Sequence, residues 1–251
     1  MKIDFHTHAN LTKNIEFTVE EFIEKVKEAK ESGLDAFALT EHFNTNNFKE
    51  MYDQLKDNFP YQGDYYDVDG VKIFTGIEID IKEVGHILFI GNRDDILKVY
   101  EYVIPHIPDH NHVPFKDLLT FAGDLELLKI GAHPFRKKTP LKHIDYDLLA
   151  QLDAFDLNAT DIYRQGIEVR EEVEGLAKEL NLPVVAGSDT HHHLQYGSVS
   201  NVFFESFTTA KELKDAIVEG DYEISISPCL KEKVKGARLI KKVLKKQLLH
   251  V

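Results

Sequence analysis

A chain of 251 residues with 43% hydrophobic and 29% charged side chains has a globular composition and enough apolar material for one large domain or two small ones. No run of about 18 apolar residues is present, which excludes a membrane-spanning helix. The formal charge of −13 excludes sequence-independent binding of duplex nucleic acid by the body of the protein, which needs a basic footprint.

The chain opens on "MKIDFHTH", read as a strand. On a regular strand Asp4, His6 and His8 project from one side, while Ile3, Phe5 and Thr7 face helices on the other. The strand starts too early to leave room for a signal peptide. Cys229 is the single cysteine, so neither an intrachain disulfide nor a thiolate zinc site can form. Both observations point to the cytoplasm.

A helix follows from Thr18 to Ser32, with Thr18 as N-cap, Glu21 at the capping-box position and Gly33 as the stop. Then come "LDAFALTEH" as a strand and a helix from Asn46 to Asn58. "VKIFTGIEID" and "GHILFIG" are separated by a few residues and form either a hairpin or a distorted part of a barrel. "VIPHIPDHNHVPF" is a loop over one end of the fold. A helix over Phe115 to Leu128 precedes the strands "KIGAHPF" and "AFDLNAT", and another helix spans Gly166 to Leu180. "LPVVAGSDTHHH" is a strand carrying Asp189, His191 and His193 on one face; "SNVFFESF" and a helix from Ala210 to Glu219 follow. At least six strand–helix units imply an α/β fold with parallel strands. No repeat or linker divides them, so residues 1–251 read as one domain, with 230–251 as an extension.

The strand ends carry Asp4/His6/His8, Glu41/His42, Glu78/Asp80, His133, Asn158 and Asp189/His191. In a parallel barrel those ends meet on one face. Imidazole and carboxylate without thiolate suit Zn²⁺, Mn²⁺ or Fe²⁺, and Glu78 can bridge two ions. Two divalent ions clamp a phosphoryl displacement and lower the pKa of a trapped water, so hydrolysis by a metal-bound hydroxide is the natural chemistry. Asp4 is expected to orient an imidazole. His106, His110, His112, His143 and His250, taken singly, read as ordinary surface or core residues.

The pieces "DFHTHAN", "LDAFALTEHFN", "FTGIEID", "GHILFIG", "AHPFR" and "VVAGSDTHHH", in this order between residues 4 and 193, resemble the PHP (polymerase and histidinol phosphatase) superfamily. The resemblance implies a distorted (β/α)7 barrel with two or three divalent metal ions that hydrolyses phosphoesters. By motif it assigns His6, His8, His42, Glu78, His133, Asp189 and His191 as metal ligands, with His86, which opens the "GHILFIG" strand, as the remaining candidate and the loop histidines His106, His110 and His112 as its rivals. Glu41 replaces the aspartate of the usual TDH, which leaves the role of position 41 open. Where a third-metal ligand usually follows the HxH pair, this chain has Lys13 and Asn14, so the third ion is expected to bind weakly or not at all.

Arg136, three residues past His133, is placed to grip a substrate phosphate, with Arg164, in the loop after "FDLNAT", second. Together with Asp189 and His191, Arg136 forms the expected catalytic set. Residues 230–250 hold eight Lys/Arg against Glu232, a net of +7, and Leu230, Val234, Ala237, Ile240, Leu244 and Leu248 give them a helical apolar stripe. This tail packs on the barrel or a second subunit, or contacts nucleic acid or an anionic membrane. The preferred function is a phosphoesterase for a small phosphomonoester, such as a sugar, nucleotide or histidinol-phosphate-like compound. Its rivals are a nuclease or nucleoside-bisphosphate phosphatase, a TatD-type or amidohydrolase relative, which the DxH ending disfavours, and a metal-stabilised interaction module.

Overall fold

The computed structural model describes residues 1–107 and 111–248. Its strands, all joined in one sheet, are β1 (Lys2–Thr7), β2 (Ala36–Leu39), β3 (Tyr61–Gln62), β4 (Tyr65–Val68), β5 (Val71–Ile81), β6 (Gly85–Ile90), β7 (Leu128–Gly131), β8 (Ala154–Asn158), β9 (Val184–Gly187), β10 (Val199–Phe203) and β11 (Tyr222–Ile226). The α-helices are α1 (Val19–Glu31), α2 (Phe48–Asn58), α3 (Arg93–Val103), α4 (Phe115–Phe121), α5 (Tyr146–Leu149), α6 (Ala159–Gln165), α7 (Val169–Glu179), α8 (Ala210–Glu219) and α9 (Leu230–Leu248). Among the described residues no helix is long and apolar enough to cross a membrane.

Seven strands in the order β1-β2-β5-β6-β7-β8-β9 make a nearly closed, distorted barrel. One apolar cluster takes Ile3, Ala36, Phe74, Leu88, Leu128, Ala154 and Val185, one from each of these strands, and is plugged by Leu213 and Ile217 of α8. The seven inward faces therefore share one interior. A larger cluster lies outside, where Phe37, Ile77, Phe89 and Leu157 meet Phe22, Val26, Leu55 and Val173 from the helices. The two alternatives for "VKIFTGIEID" and "GHILFIG" both hold, since β5 and β6 form a hairpin inside the barrel: β6 runs antiparallel to both β5 and β7, whereas β1-β2, β2-β5, β7-β8 and β8-β9 are parallel.

The barrel seam lies between β1 and β9. At the active end His8 N donates to Thr190 O and Asp189 N donates to His6 O, at 2.9 and 2.8 Å. At the other end β10 pairs with β1, and the buried Asn201 side chain bridges the gap. Its Nδ2 donates to Ile3 O and Ala186 O, at 3.1 and 2.9 Å, and its Oδ1 accepts from Ala186 N at 2.8 Å.

Well-capped helices fall where the sequence puts them. Thr18 Oγ1 accepts from Glu21 N at the start of α1, and α8 begins in a reciprocal Thr209–Glu212 capping box and ends at left-handed Gly220. Three expectations need correction. The helix drawn to Leu128 stops at Phe121 and gives way to a 3₁₀ turn over Ala122–Asp124. Arg164 lies on α6, a helix that begins where β8 ends, and not in a loop. β9 ends at Gly187, so Asp189, His191 and His193 do not share a strand face.

The opening strand also departs from regular alternation. Asp4 pairs with Phe37 and Thr7 with Leu39, so three steps on β1 match two on β2. This irregularity puts Asp4 on the face of Phe37, away from His6 and His8.

Replacing Asn201 with Ala would leave Ile3 O and both backbone groups of Ala186 buried without the side-chain partner. We expect a loss of about 3 kcal/mol in urea unfolding; a loss below about 1 kcal/mol would show that the seam closes without it.

Candidate metal centre

The polar end of the barrel collects side chains from nearly every strand. β1 delivers His6 and His8, the segment after β2 delivers Glu41 and His42, and β5 delivers Glu78. The β2-β5 ladder continues past the end of β2, with Glu78 N donating to Glu41 O and Phe43 N to Glu78 O at 2.9 Å, which fixes Glu78 beside His42. His86, second residue of β6, reaches the same end because that strand runs the opposite way. His133 follows β7, and Asp189 and His191 follow β9.

Glu78 is the hub and is only 1% exposed. Its oxygens lie 2.6 Å from His86 Nδ1, 2.8 Å from His42 Nδ1, 3.4 Å from His133 Nε2, and 3.5 Å from both His6 Nε2 and His8 Nε2. Burial opposes its charge, but His42, His86 and His6 outweigh it and hold Glu78 well below the usual carboxylate range. Asp189 is likewise held low against burial, by Arg136 and His8.

Three overlapping groups each bring potential ligand atoms within 4.8 Å of one another: His6, Glu78 and His133; His6, His8 and Asp189; and His8, His42 and His191. Buried within them, His6 Nε2, His8 Nε2, His42 Nδ1 and Glu78 Oε2 have no aligned hydrogen-bond partner among the described residues. Orphaned buried polar atoms are costly. Four of them converging from imidazole and carboxylate, with no thiolate, fit divalent Zn, Mn or Fe.

Residues 4–245 match the PHP domain family. The chain belongs to that family. A stretch of 103 residues is 31% identical to DNA polymerase III PolC-type of Latilactobacillus sakei; it covers 41% of this chain and 6% of that protein, so the chain spans a small fraction of the curated relative. Its fold is similar to that of PsfC from Pseudomonas syringae, with a TM-score of 0.78, 18% identity, and 97% and 98% of the two chains covered. It is also similar to a lesion-specific endonuclease, EndoQ from Pyrococcus furiosus, with a TM-score of 0.65, 19% identity, and 89% and 58% covered.

In this PHP domain the ring of His6 is oriented by a residue that sequence reasoning missed. Asp156 Oδ2 lies 3.0 Å from His6 Nδ1, which turns Nε2 toward the centre. Gly187 makes that approach possible, because a methyl group there would sit 2.4 Å from His6 Cβ and 2.7 Å from Asp156 Oδ1. Asp4, expected in this role, makes no hydrogen bond to an imidazole among the described residues. Its Oδ1 accepts from His6 N and Ser188 N, at 3.1 and 2.9 Å, and burial pushes its carboxyl up to about 7. Glu41 accepts from Asn10 N, His42 N and Thr45 Oγ1 and stands 3.7 Å from His8 Nδ1, so it ties two loops together behind His8.

The remaining expectations divide. His86 is outside the three groups, with Nδ1 facing Glu78 and Nε2 3.1 Å from Asp80. Arg136 already donates to three side chains: Asp189 at 2.7 Å, Asn158 at 2.9 Å and Asp161 at 3.1 Å. It therefore clamps Asp189 first, and it lines the adjoining cavity together with Arg164. Asp189 and His133 adopt φ of 56° and 35°, sparsely populated for non-glycine residues and typical of functional sites. Lys13 Nζ lies 3.7 Å from Asp80, and Asn14 is exposed. His106 and His143 bond to backbone carbonyls at the surface, and His112 lies 3.9 Å from Asp80. His193 opens a 3₁₀ turn. His110 and His250 lie outside the described residues.

Asp156→Asn keeps the shape of this buried side chain and removes its charge. Its affinity for Mn²⁺, measured by competition with a chelating dye, should fall about 10- to 100-fold; an unchanged affinity would deny Asp156 the orienting role.

Proposed function

We propose that this PHP domain is a metal-dependent phosphoesterase acting on a small phosphomonoester. One observation carries the reading: three donor groups linked through His6 and His8 converge at one site and contain buried atoms without a hydrogen-bond partner among the described residues, which a divalent cation would satisfy. His6, His8, His42, Glu78, His133, Asp189 and His191 are the proposed ligands, with His86 supporting Glu78.

Divalent ions held there would polarise phosphoryl oxygens and lower the pKa of a water. The protein does the rest by positioning. Asp156 holds the Nδ1 side of His6, and Glu41 places its charge 3.7 Å from Nδ1 of His8, an arrangement that favours both Nε2 atoms facing inward. Arg136 fixes the Asp189 rotamer through Nη1, and it lines the cavity through which a phosphate would arrive. Arg164 on the same wall adds charge for the incoming dianion. His191 lines that cavity and belongs to the third donor group, so it stands between the proposed ligand set and the space open to a substrate.

The experiment is turnover of p-nitrophenyl phosphate by purified protein with Mn²⁺, beside metal analysis of the same sample. Wild type should lose activity on chelation and regain it with Mn²⁺, and His6→Ala should be slower by about 100-fold or more. Equal rates in wild type and His6→Ala would remove the catalytic reading of this centre.

A further inference from the structure

Beside Asp189 and His191 the centre opens into a cavity of about 450 Å³, walled on one side by α9. The cavity has the size of a small-molecule site, for which roughly 300 to 1,000 Å³ is usual. Its lining includes Arg164 from α6 and Arg238, Lys241, Lys242, Lys245 and Lys246 from α9. Those five cations recur at i, i+3, i+4, i+7 and i+8, which makes one stripe along the helix.

A basic helix on an acidic protein invites a simpler account, in which lysines dock the helix by pairing with carboxylates. The contacts argue otherwise. None of these six cations is ion-paired among the described residues, although the chain as a whole has 43 Asp+Glu against 30 Lys+Arg. The helix is held by buried Leu230, Val234 and Ala237, by Lys233 Nζ donating to Tyr196 O at 2.9 Å, and by the Arg238 guanidinium 5.5 Å over the Tyr163 ring of α6. Docking therefore draws on Arg238 but does not need the four lysines of the stripe.

Like charges four residues apart destabilise a helix, and the stripe has three such pairs: Arg238/Lys242, Lys241/Lys245 and Lys242/Lys246. Burial, with repulsion from Lys245, outweighs the attraction of Asp189 and pulls Lys241 down to about 8. Burial, Arg238 and Arg136 lower Arg164 in the same way. A cluster of positive charge facing a cavity, offset only in part by Asp189 and Asp161, is relieved further by an anion placed in it. Several cations disposed around one space match the doubly charged, three-oxygen end of a phosphate better than a single carboxylate.

We propose that the α9 stripe and Arg164 form a subsite for a second phosphate of the substrate whose scissile phosphate lies at the metal centre. The substrate is then a small bisphosphorylated compound, and α9 reads its far end. The proposal rests on the phosphoesterase reading for the scissile group, while the anion subsite itself does not require turnover. A 5′-phosphorylated nucleic-acid strand offers the same two-phosphate chemistry; the size of the cavity favours the small compound.

The test compares matched substrates on Mn²⁺-loaded full-length protein. Fructose 6-phosphate is paired with fructose 1,6-bisphosphate, ribose 5-phosphate with ribose 1,5-bisphosphate, and thymidine 5′-monophosphate with 5′-phosphorylated thymidine dinucleotide. At least one sugar bisphosphate should show kcat/KM about tenfold or more above its monophosphate, a preference that added salt erodes. In Lys242→Gln/Lys245→Gln/Lys246→Gln, whose three sites are exposed, that ratio should fall to within about twofold of unity, with the urea unfolding midpoint unchanged.

A preference confined to the dinucleotide pair would overturn the small-compound assignment in favour of a nucleic-acid end. Hydrolysis of all esters without preference would overturn the subsite and leave the phosphoesterase standing. Absence of any hydrolysis, with calorimetric binding of fructose 1,6-bisphosphate that the triple variant loses, would overturn the phosphoesterase and support the subsite.

Discussion

Four carboxylates, Glu41, Glu78, Asp156 and Asp189, are held at one end of a barrel, the first three of them almost wholly out of water. The fixed positive charge in direct contact with this set is the guanidinium of Arg136, which reaches Asp189. Removing unpaired carboxylates from water costs several kcal/mol each, so such a set is stable only when cations or protons complete it. The titration behaviour expresses the same deficit. His6 works against burial, yet Glu78 and Asp156 raise it well above the ordinary imidazole value, so a proton binds where a divalent cation would neutralise more charge.

The fold is arranged to sustain this concentration of charge. Apolar side chains from all seven barrel strands fill the opposite end, and the ionisable ligand candidates gather at the mouth. The seam between β1 and β9 is where the centre needs freedom, since His6, His8 and Asp189 must approach from both sides. It is closed by backbone bonds at the top and by Asn201 at the bottom. The register shift in β1 serves the same end by turning Asp4 away, so its carboxyl fastens the His6 and Ser188 backbones without adding another charge to the mouth.

How much of this was legible in the sequence follows from which interactions are local. The extents of α1 and α8 were readable because caps at Thr18 and Thr209 and turns at Gly33 and Gly220 lie within a few residues of the helices they bound. The donor set was readable because strand ends carry it in sequence order. The seven-residue α6 was missed because its N-cap, Asn158, is also the last residue of a hydrophobic strand. Asp156 was missed for a related reason: within "AFDLNAT" it looks like one polar residue in a buried run, and its partner is 150 positions away. The Gly-Ser-Asp sequence at 187–189 held a usable signal, since a glycine ending a strand often marks a close approach by another chain segment. The three partners of Arg136 come from β8, α6 and the loop after β9, and no local pattern announces such a convergence.

The tail shows why charge and packing have to be weighed together. Its apolar stripe places α9 against α6 and the 3₁₀ turn over His193–Gln195, next to the segment that carries Asp189 and His191. Once docked there, the helix cannot choose where its cations go, because 3.6 residues per turn fix the angle between the apolar and basic stripes. Had the stripe served solubility alone, pointing it at open solvent would have avoided both like-charge crowding and partial burial of Lys241. It faces the cavity instead, and in an otherwise acidic chain that is the wall toward which an anion would be drawn, with low-dielectric surroundings focusing the attraction. On the proposed reading, the centre and the stripe act on one ligand from two directions, the first through ion coordination and the second through the lysine ammonium groups of α9.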